Sequence, residues 1–474
     1  MKRKLLQLFF IVCLLWVSSC EVASQERQLL KCVASDASVV VMADVAKICA
    51  LGGFEPQKFL SIVNWKSEQI ASTATTFVEL LENPSLGLQL NTPVCLFKPK
   101  GAEGMIMLAD VWSTKTLKNY LRNVARENDD LEFYSKGGIF GCYDQGSCLI
   151  SNGKVLLFGA QKEGENIDEF ITYFKLGAKS YAKHPAVDKL LAARGEVRVA
   201  MQGMDSFGGG AVSLKGKEGV CMVVDLCSRK GSFDVNVTMV PVTAQGEQAL
   251  AEFNNRSVIN GGLIKYIPTD ADAVLMIGKP DLKVSANSTV APLSALSGPV
   301  AIISNMLGQV SGDVMAYAKG LGWTIMCEVN DDFDLGAIVQ AIGGDDVWQA
   351  SGDGYTALLG EQNISVGYRS GVLKLSNFED ATKIEVPKFH YAVLCFDDTS
   401  CFADIHLNNI INVLQLQDGV SMSQLEMKLF MMGLGASVKT IRFVDRTTQD
   451  NMNLKVEFAD SNMSVYDFLK VNNK

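Results

Sequence analysis

"KCVASDASVVVMA", residues 31–43, and "KYIPTDADAVLMI", residues 265–277, are two versions of one strand entry. Lys31 matches Lys265, Asp36 matches Asp270, Ala37 matches Ala271, Val40 matches Val274 and Met42 matches Met276, at a constant spacing of 234 residues. In each stretch an Asp that can bond nearby backbone amides leads into a run of aliphatic residues, the chemistry of a turn that opens a strand. Pro268 fixes φ in the second version, where the first has Ala34.

The matching continues in order along the chain. "GMIMLADV" from Gly104 answers "WTIMCEVN" from Trp323, with Ile106 over Ile325 and Met107 over Met326. "GKVLLFG" from Gly153 answers "GVLKLSN" from Gly371. The alternating "VCMVVDL" and "FDVNVTM" answer "VKTIRFV" and "NLKVEFA", with Val237 over Val456, and each pair runs into a closing helical stretch, "TAQGEQALAEFNN" or "NMSVYDFLKVNN". The expected organisation is therefore two tandem units, 28–258 and 259–474. Short strands joined by hairpin-like loops predict mainly antiparallel sheet, so the expected class is α+β: two tandem copies of a mainly antiparallel sheet covered by helices. The copies diverge around 160–196, 203–218, 377–388 and 398–436, where any activity peculiar to this chain is expected.

The first residues belong to a different problem. "MKRK" is a basic start, "LLQLFFIVCLLWV" an apolar run of thirteen, and "SSC" follows at once. That is the pattern of a signal peptide over residues 1–19, too short for a membrane span. "VSSC" places Val17 three residues and Ser19 one residue before Cys20, the arrangement in which a cysteine is lipidated and becomes the new N-terminus. Cys20 is thus the expected lipid attachment site, residues 20–27 a short tether, and the membrane a partner through that anchor. Loss of residues 1–19 removes Lys2, Arg3 and Lys4 and moves the formal charge from −9 to −12. An acidic body of that kind argues against nucleic acid as a partner and against an electrostatic role at a membrane surface.

The lipobox followed by "ASDASVVVMADV", its echo "IPTDADAVLMI", the "HPAVDKLL…EVRVAM" passage and "DNMNLKVEF" together resemble a family of uncharacterised Bacteroidetes lipoproteins with a tandem repeat and no assigned activity. The resemblance implies a palmitate-bearing lipoprotein of the cell envelope, at the outer membrane on its periplasmic or surface face, and it brings no catalytic residues. Ala34 departs from the proline of that pattern.

Chemistry is sparse in the rest of the chain. Beyond Cys13 and Cys20 ten cysteines remain, and several stand where the other copy has an apolar or aromatic residue, as expected of small core hydrophobes. Cys142 with Cys148, and Cys395 with Cys401, are the pairs best placed for hairpin disulfides. His184, His390 and His406 fall in no metal-binding helix pattern, "NDDFD" lacks the calcium loop, and no G-x-S-x-G elbow occurs, so no metal or cofactor is expected. "GGGAVSLKGKEG" has the wrong spacing for a phosphate loop and places Glu218 where a Ser or Thr should follow the lysine. The expected role is non-enzymatic binding or scaffolding of a protein or glycan, the alternative being a hydrolase-like enzyme of unrecognised class.

Overall fold

Alternating apolar residues become strands throughout, and every strand pairs antiparallel with its neighbours. The structure is a computed structural model that describes residues 25–53, 72–101, 104–144, 147–160, 167–202, 219–279, 309–341, 346–359, 362–378, 383–391, 396, 398–407, 437–447 and 451–472. The signal peptide, Cys20, Cys395 and the divergent stretches 203–218 and 408–436 lie outside the described residues.

The strands of the first half are β1 (Val39–Ala43), β2 (Leu88–Gln89), β3 (Val94–Lys98), β4 (Ile106–Val111), β5 (Glu132–Lys136), β6 (Ile139–Tyr143), β7 (Ser147–Ser151), β8 (Val155–Ala160), β9 (Val197–Gln202), β10 (Val220–Arg229) and β11 (Ser232–Pro241). Those of the second half are β12 (Ala273–Ile277), β13 (Val310–Lys319), β14 (Gly322–Val329), β15 (Gln349–Ser351), β16 (Gly354–Leu359), β17 (Gln362–Arg369), β18 (Val372–Ser376), β19 (Thr399–His406), β20 (Val438–Arg446) and β21 (Asn451–Phe458). The helices used below are α1 (25–30), α2 (Val45–Gly52), α3 (Ser72–Glu82), α4 (Thr114–Glu127), α5 (Ile167–Thr172), α6 (Val187–Ala192), α7 (Ala244–Asn254), α8 (Leu335–Ala341) and α9 (Val465–Asn472).

The ladder of the first half runs β5-β6-β7-β8-β4-β3-β1-β9-β10-β11, with the short β2 sharing one edge of β4 with β3. The second half runs β15-β16-β17-β18-β14-β13-β12-β19-β20-β21, the same order of counterparts. The two runs join where β11 pairs with β21, Phe233 opposite Val456, Val235 opposite Leu454 and Val237 opposite Met452. Val237 and Val456, matched by sequence, thus lie symmetrically about the Val235–Leu454 pair, which sits on a local two-fold axis. β5 and β15 each have one strand partner among the described residues, so this ladder has two ends.

Two expectations need correction. The α+β arrangement of two tandem copies, each a sheet of its own covered by helices, is replaced by one continuous antiparallel sheet of twenty-one strands. The reason lies at the last strand of each half: left alone, β11 and β21 would each be a long edge with unpaired backbone groups, and pairing them removes both edges. Alternation reveals which residues form a strand, not which edge that strand will seek. The match of Ile106 with Ile325 also fails. Met42 opposes Cys95 and its match Met276 opposes Met315, so Cys95 and Met315 are counterparts; Cys95 then opposes Leu108 in β4, while Met315 opposes Met326 in β14. The equivalence is therefore one residue off, and it sends Ile106 and Ile325 to opposite faces.

Both outer regions of the sheet are covered on both faces. In the first, Leu157 and Val155 pack with Leu29, Phe97 and Tyr181 on one side, while Leu156 and Ala109 pack with Phe77 and Leu80 of α3 and Leu117 and Leu121 of α4 on the other. α1 is tied down there by Glu26, whose carboxylate receives both Arg198 Nη1 at 3.2 Å and Nη2 at 2.8 Å within the core. In the second, Cys327, Leu373 and Leu375 pack with Trp348 and with Val339 of α8, and Val274, Met276 and Met326 pack with Leu263 and Ile267.

Candidate functional site

The middle of the sheet is built differently. On one face the row Val41–Val199–Val224–Val237–Met452 runs from β1 to β21, and the row Val197–Leu226–Val235–Leu454–Phe443–Ala403–Leu275 runs from β9 to β12. All of these side chains are partly exposed, and Leu275 is 41% exposed. Val199, Val224, Leu226, Val235, Val237 and Phe443 stand outside every buried cluster. A contiguous apolar surface on this scale is what binding faces present.

Helices wall this floor along two sides. α7 packs Leu250 and Phe253 over Val220, Met239 and Met452. Its start is seated by close backbone contact, since a Cβ on Gly246 would lie 1.8 Å from Gly219 O, and Thr243 Oγ1 caps the helix by accepting from Gly246 N at 3.1 Å. α9 packs Val465, Tyr466 and Phe468 against Val456, Phe458 and Leu454, with Ile48 of α2 beside it. α7 and α9 follow counterpart strands, so the local axis places them at opposite ends of the floor. α7 reaches Met452 and α9 reaches Leu454, two residues apart on β21, about 7 Å, so no helix-wide gap separates the two walls there. The floor as a whole crosses eight strands from β1 to β12, about 30 Å.

Each wall is fastened by a buried acid of the opposite half. Arg256, just beyond α7, grips Asp445 of β20, donating through Nη2 to Oδ1 at 3.1 Å and through Nη1 to Oδ2. Ser400 Oγ donates to the same carboxylate at 3.2 Å, and the guanidinium lies 3.6 Å over the Phe253 ring. At the other end Tyr466 of α9 donates its hydroxyl to Glu196 Oε1 at 3.0 Å, and Ser228 N donates to both Glu196 oxygens at 3.0 Å. Burial, followed by the charge of Glu196, raises the Tyr466 pKa.

The reverse face of the same strands is polar. Asp225, Asp234, Asn236, Asn453, Lys455 and Arg442 lie on it, and Asn453 Nδ2 donates to Asn236 Oδ1 at 2.8 Å. Further along, Asp404 receives Arg442 Nη2 at 2.8 Å and the Tyr391 hydroxyl, with His406 Nε2 at 3.9 Å.

The residues expected to carry chemistry do not converge on the floor. Cys142 and Cys148 are free and buried. Cys142 opposes Leu149 while Cys148 opposes Tyr143, which puts the two sulfurs on opposite faces of the sheet and excludes the expected bridge. Burial pushes the Cys142 thiol up to about 12. Cys401 is free and half-buried, raised by burial to about 11, and its expected partner Cys395 lies outside the described residues. His184 stacks on Tyr181 at 4.4 Å, its Nδ1 accepts from Ala186 N at 3.2 Å, and burial lowers its pKa. Among the described residues no group of three or more His, Cys, Asp or Glu side chains is placed to hold a metal ion.

What the sequence did not single out are the fastening groups Glu196, Asp445, Arg256 and Tyr466, and Asp110 of the first outer region. Asp110 is buried, its Oδ2 has no hydrogen-bond partner, and burial, opposed by a hydrogen bond to Thr92, raises its pKa to about 6. No local pattern marks these residues, because their partners are distant in sequence.

No family model matches the chain, and no curated protein does. Among solved structures, crystal form I of TP0453 aligns at 13% identity and a TM-score of 0.29, covering 48% of this chain and 87% of that one. Crystal form III aligns at 12% identity and a TM-score of 0.28, with the same coverage. At these scores the likeness supports no conclusion about fold or function.

Proposed function

We propose that this chain is an envelope lipoprotein, held at the membrane by acylated Cys20, that binds a partner protein through the partly exposed apolar floor beside α7 and α9. The observation that carries the reading is the row Val197–Leu226–Val235–Leu454–Phe443–Ala403–Leu275, apolar at every position and partly exposed. Apart from the Phe443 ring the floor row is aliphatic and offers a glycan no hydrogen bonds, so of the two expected partners the protein is favoured. The reading is also non-enzymatic. Asp110 and Asp404 lie on the reverse face, and Asp445, which belongs to the floor, is already bridged by Arg256 and Ser400.

A photo-crosslinking residue at Leu226 tests the site in intact envelopes. The expected result is a crosslink to a second protein that disappears in a Val235→Asp variant of unchanged circular dichroism. A crosslink only to this chain itself would show the floor covered from within and overturn the reading. The anchor is tested separately: Cys20→Ser should leave the chain in the soluble fraction or as the uncleaved precursor, and maturation with detergent partitioning like the parent would refute it.

A further inference from the structure

A second concave feature lies where the chain enters the fold. A cleft of about 390 Å³ is lined by Arg27, Lys31, Asn152, Phe174 and Lys183, with Gln28 and Ser180 among the remaining lining residues. Three segments form it, α1, the β7–β8 turn at Asn152 and the succession of tight turns at Tyr173–Lys183, and the first and last are pinned together where Ala34 bridges to Ser180 and Tyr181 N donates to Val33 O at 2.7 Å. Of the neighbouring carboxylates, Glu26 is held by Arg198 in the core and Asp188 pairs with Arg27 at 2.6 Å, while Asp110 lies buried near Cys32 behind the lining. Lys31 donates to the neutral Gln28, and among the described residues neither Lys31 nor Lys183 has a carboxylate partner. On a chain of formal charge −9 this is a local reversal of sign, around a hollow whose lining is mainly apolar. Its position is equally specific: Arg27 is seven residues from Cys20, a reach of at most about 25 Å.

We infer that this cleft seats the phosphate of an anionic phospholipid in the leaflet that carries the anchor, so that the protein rests on its membrane by α1 and the 173–183 turns. The inference rests on the anchor reading above. Lysines held near an anionic surface each contribute attraction that is short-ranged and screened by salt, so the orientation depends on lipid charge.

The test uses the mature chain reconstituted in phosphatidylcholine vesicles with or without phosphatidylglycerol, and follows acetylation of individual lysines by mass spectrometry. Lys31 and Lys183 should be labelled about fivefold more slowly in the anionic vesicles, while Lys118 and Lys455 label equally in both. Inorganic phosphate at matching concentration should not reproduce the protection, and if it does, the site is one for free phosphate and the membrane assignment fails. A Lys31→Glu, Lys183→Glu variant should abolish any difference at neighbouring Lys179. Equal labelling in the two vesicle types overturns the inference. The mass of the Cys20 peptide reads the anchor independently, so a chain without acyl groups that is still protected by added anionic vesicles would refute the anchor and keep the headgroup site.

Discussion

The first outer region and the middle of the sheet use the same strand chemistry to opposite ends. In β8, Val155, Leu156 and Leu157 are all fully buried, because α1 and its neighbours cover one face and α3 and α4 the other. In β11, Phe233, Val235 and Val237 alternate with Asp234, Asn236 and Thr238, and none of the six is buried. Continuous apolar runs mark strands buried on both sides, and strict alternation marks strands with one wet face. What the comparison adds is that the apolar face of the alternating strands is left partly open, although helices stand on both sides of it.

The sharpest way to break this comparison is a pair of truncations. Leu157→Ala should lower unfolding free energy by about 3–4 kcal/mol, as a buried leucine that leaves a cavity. Val235→Ala should cost less than about 1 kcal/mol, since its side chain already meets solvent. Urea denaturation of both variants checks this, and comparable losses would mean that the floor is as dry as the outer core.

Asp110 sharpens the contrast from the other side, because burial in the outer region is what raises its pKa to about 6 from 3.8. Between those values the folded protein keeps a proton that the unfolded chain has released, so stability falls as pH rises from about 4 to about 6 and is level above. Asp110→Asn should therefore stabilise the protein by about 3 kcal/mol at pH 7.5, with the gain vanishing below about pH 4. A gain independent of pH would show that the acid is not the cause.

Smaller effects are expected at the walls. Arg256→Ala leaves Asp445 buried without its cation and should cost about 2 kcal/mol, reduced from the fully buried case because the arginine is itself partly exposed. Hydrogen exchange should rise in both α7 and β20, and a rise in α7 alone would show that the ion pair does not join the halves. Tyr466→Phe removes one hydrogen bond to Glu196 and should cost about 1 kcal/mol, read as a lower melting temperature with α9 exchanging faster.

The strands and their repeated order were legible in the sequence, and the reasons for the misses are local. "FDVNVTM" and "NLKVEFA" alternate, so their phase is visible and Val237 and Val456 take symmetric places on one face. "GMIMLADV" presents four successive apolar residues from Ile106 to Ala109, and with both faces buried nothing distinguishes one phase from the next. The match with Ile325 slipped by one residue there. Cys142 and Cys148 looked like hairpin partners by spacing, but whether two such positions share a face depends on where the turn places the register. The floor was half legible: alternation announced an apolar face, while its openness depends on how far apart α7 and α9 settle, which is set by Gly219, Arg256 and Tyr466 acting across more than one hundred intervening positions in two of the three cases.

The β11–β21 join also imposes an order of events on the making of this protein. β11 is complete at Pro241, but the strand that protects it ends at Phe458. At about 5–20 residues per second, synthesis of the intervening chain takes about 10–40 s. Throughout that interval the first half carries a long edge of unpaired backbone with valines on one side, a ready template for another nascent copy. A chain stopped anywhere in its second half should therefore aggregate rather than persist as a folded half.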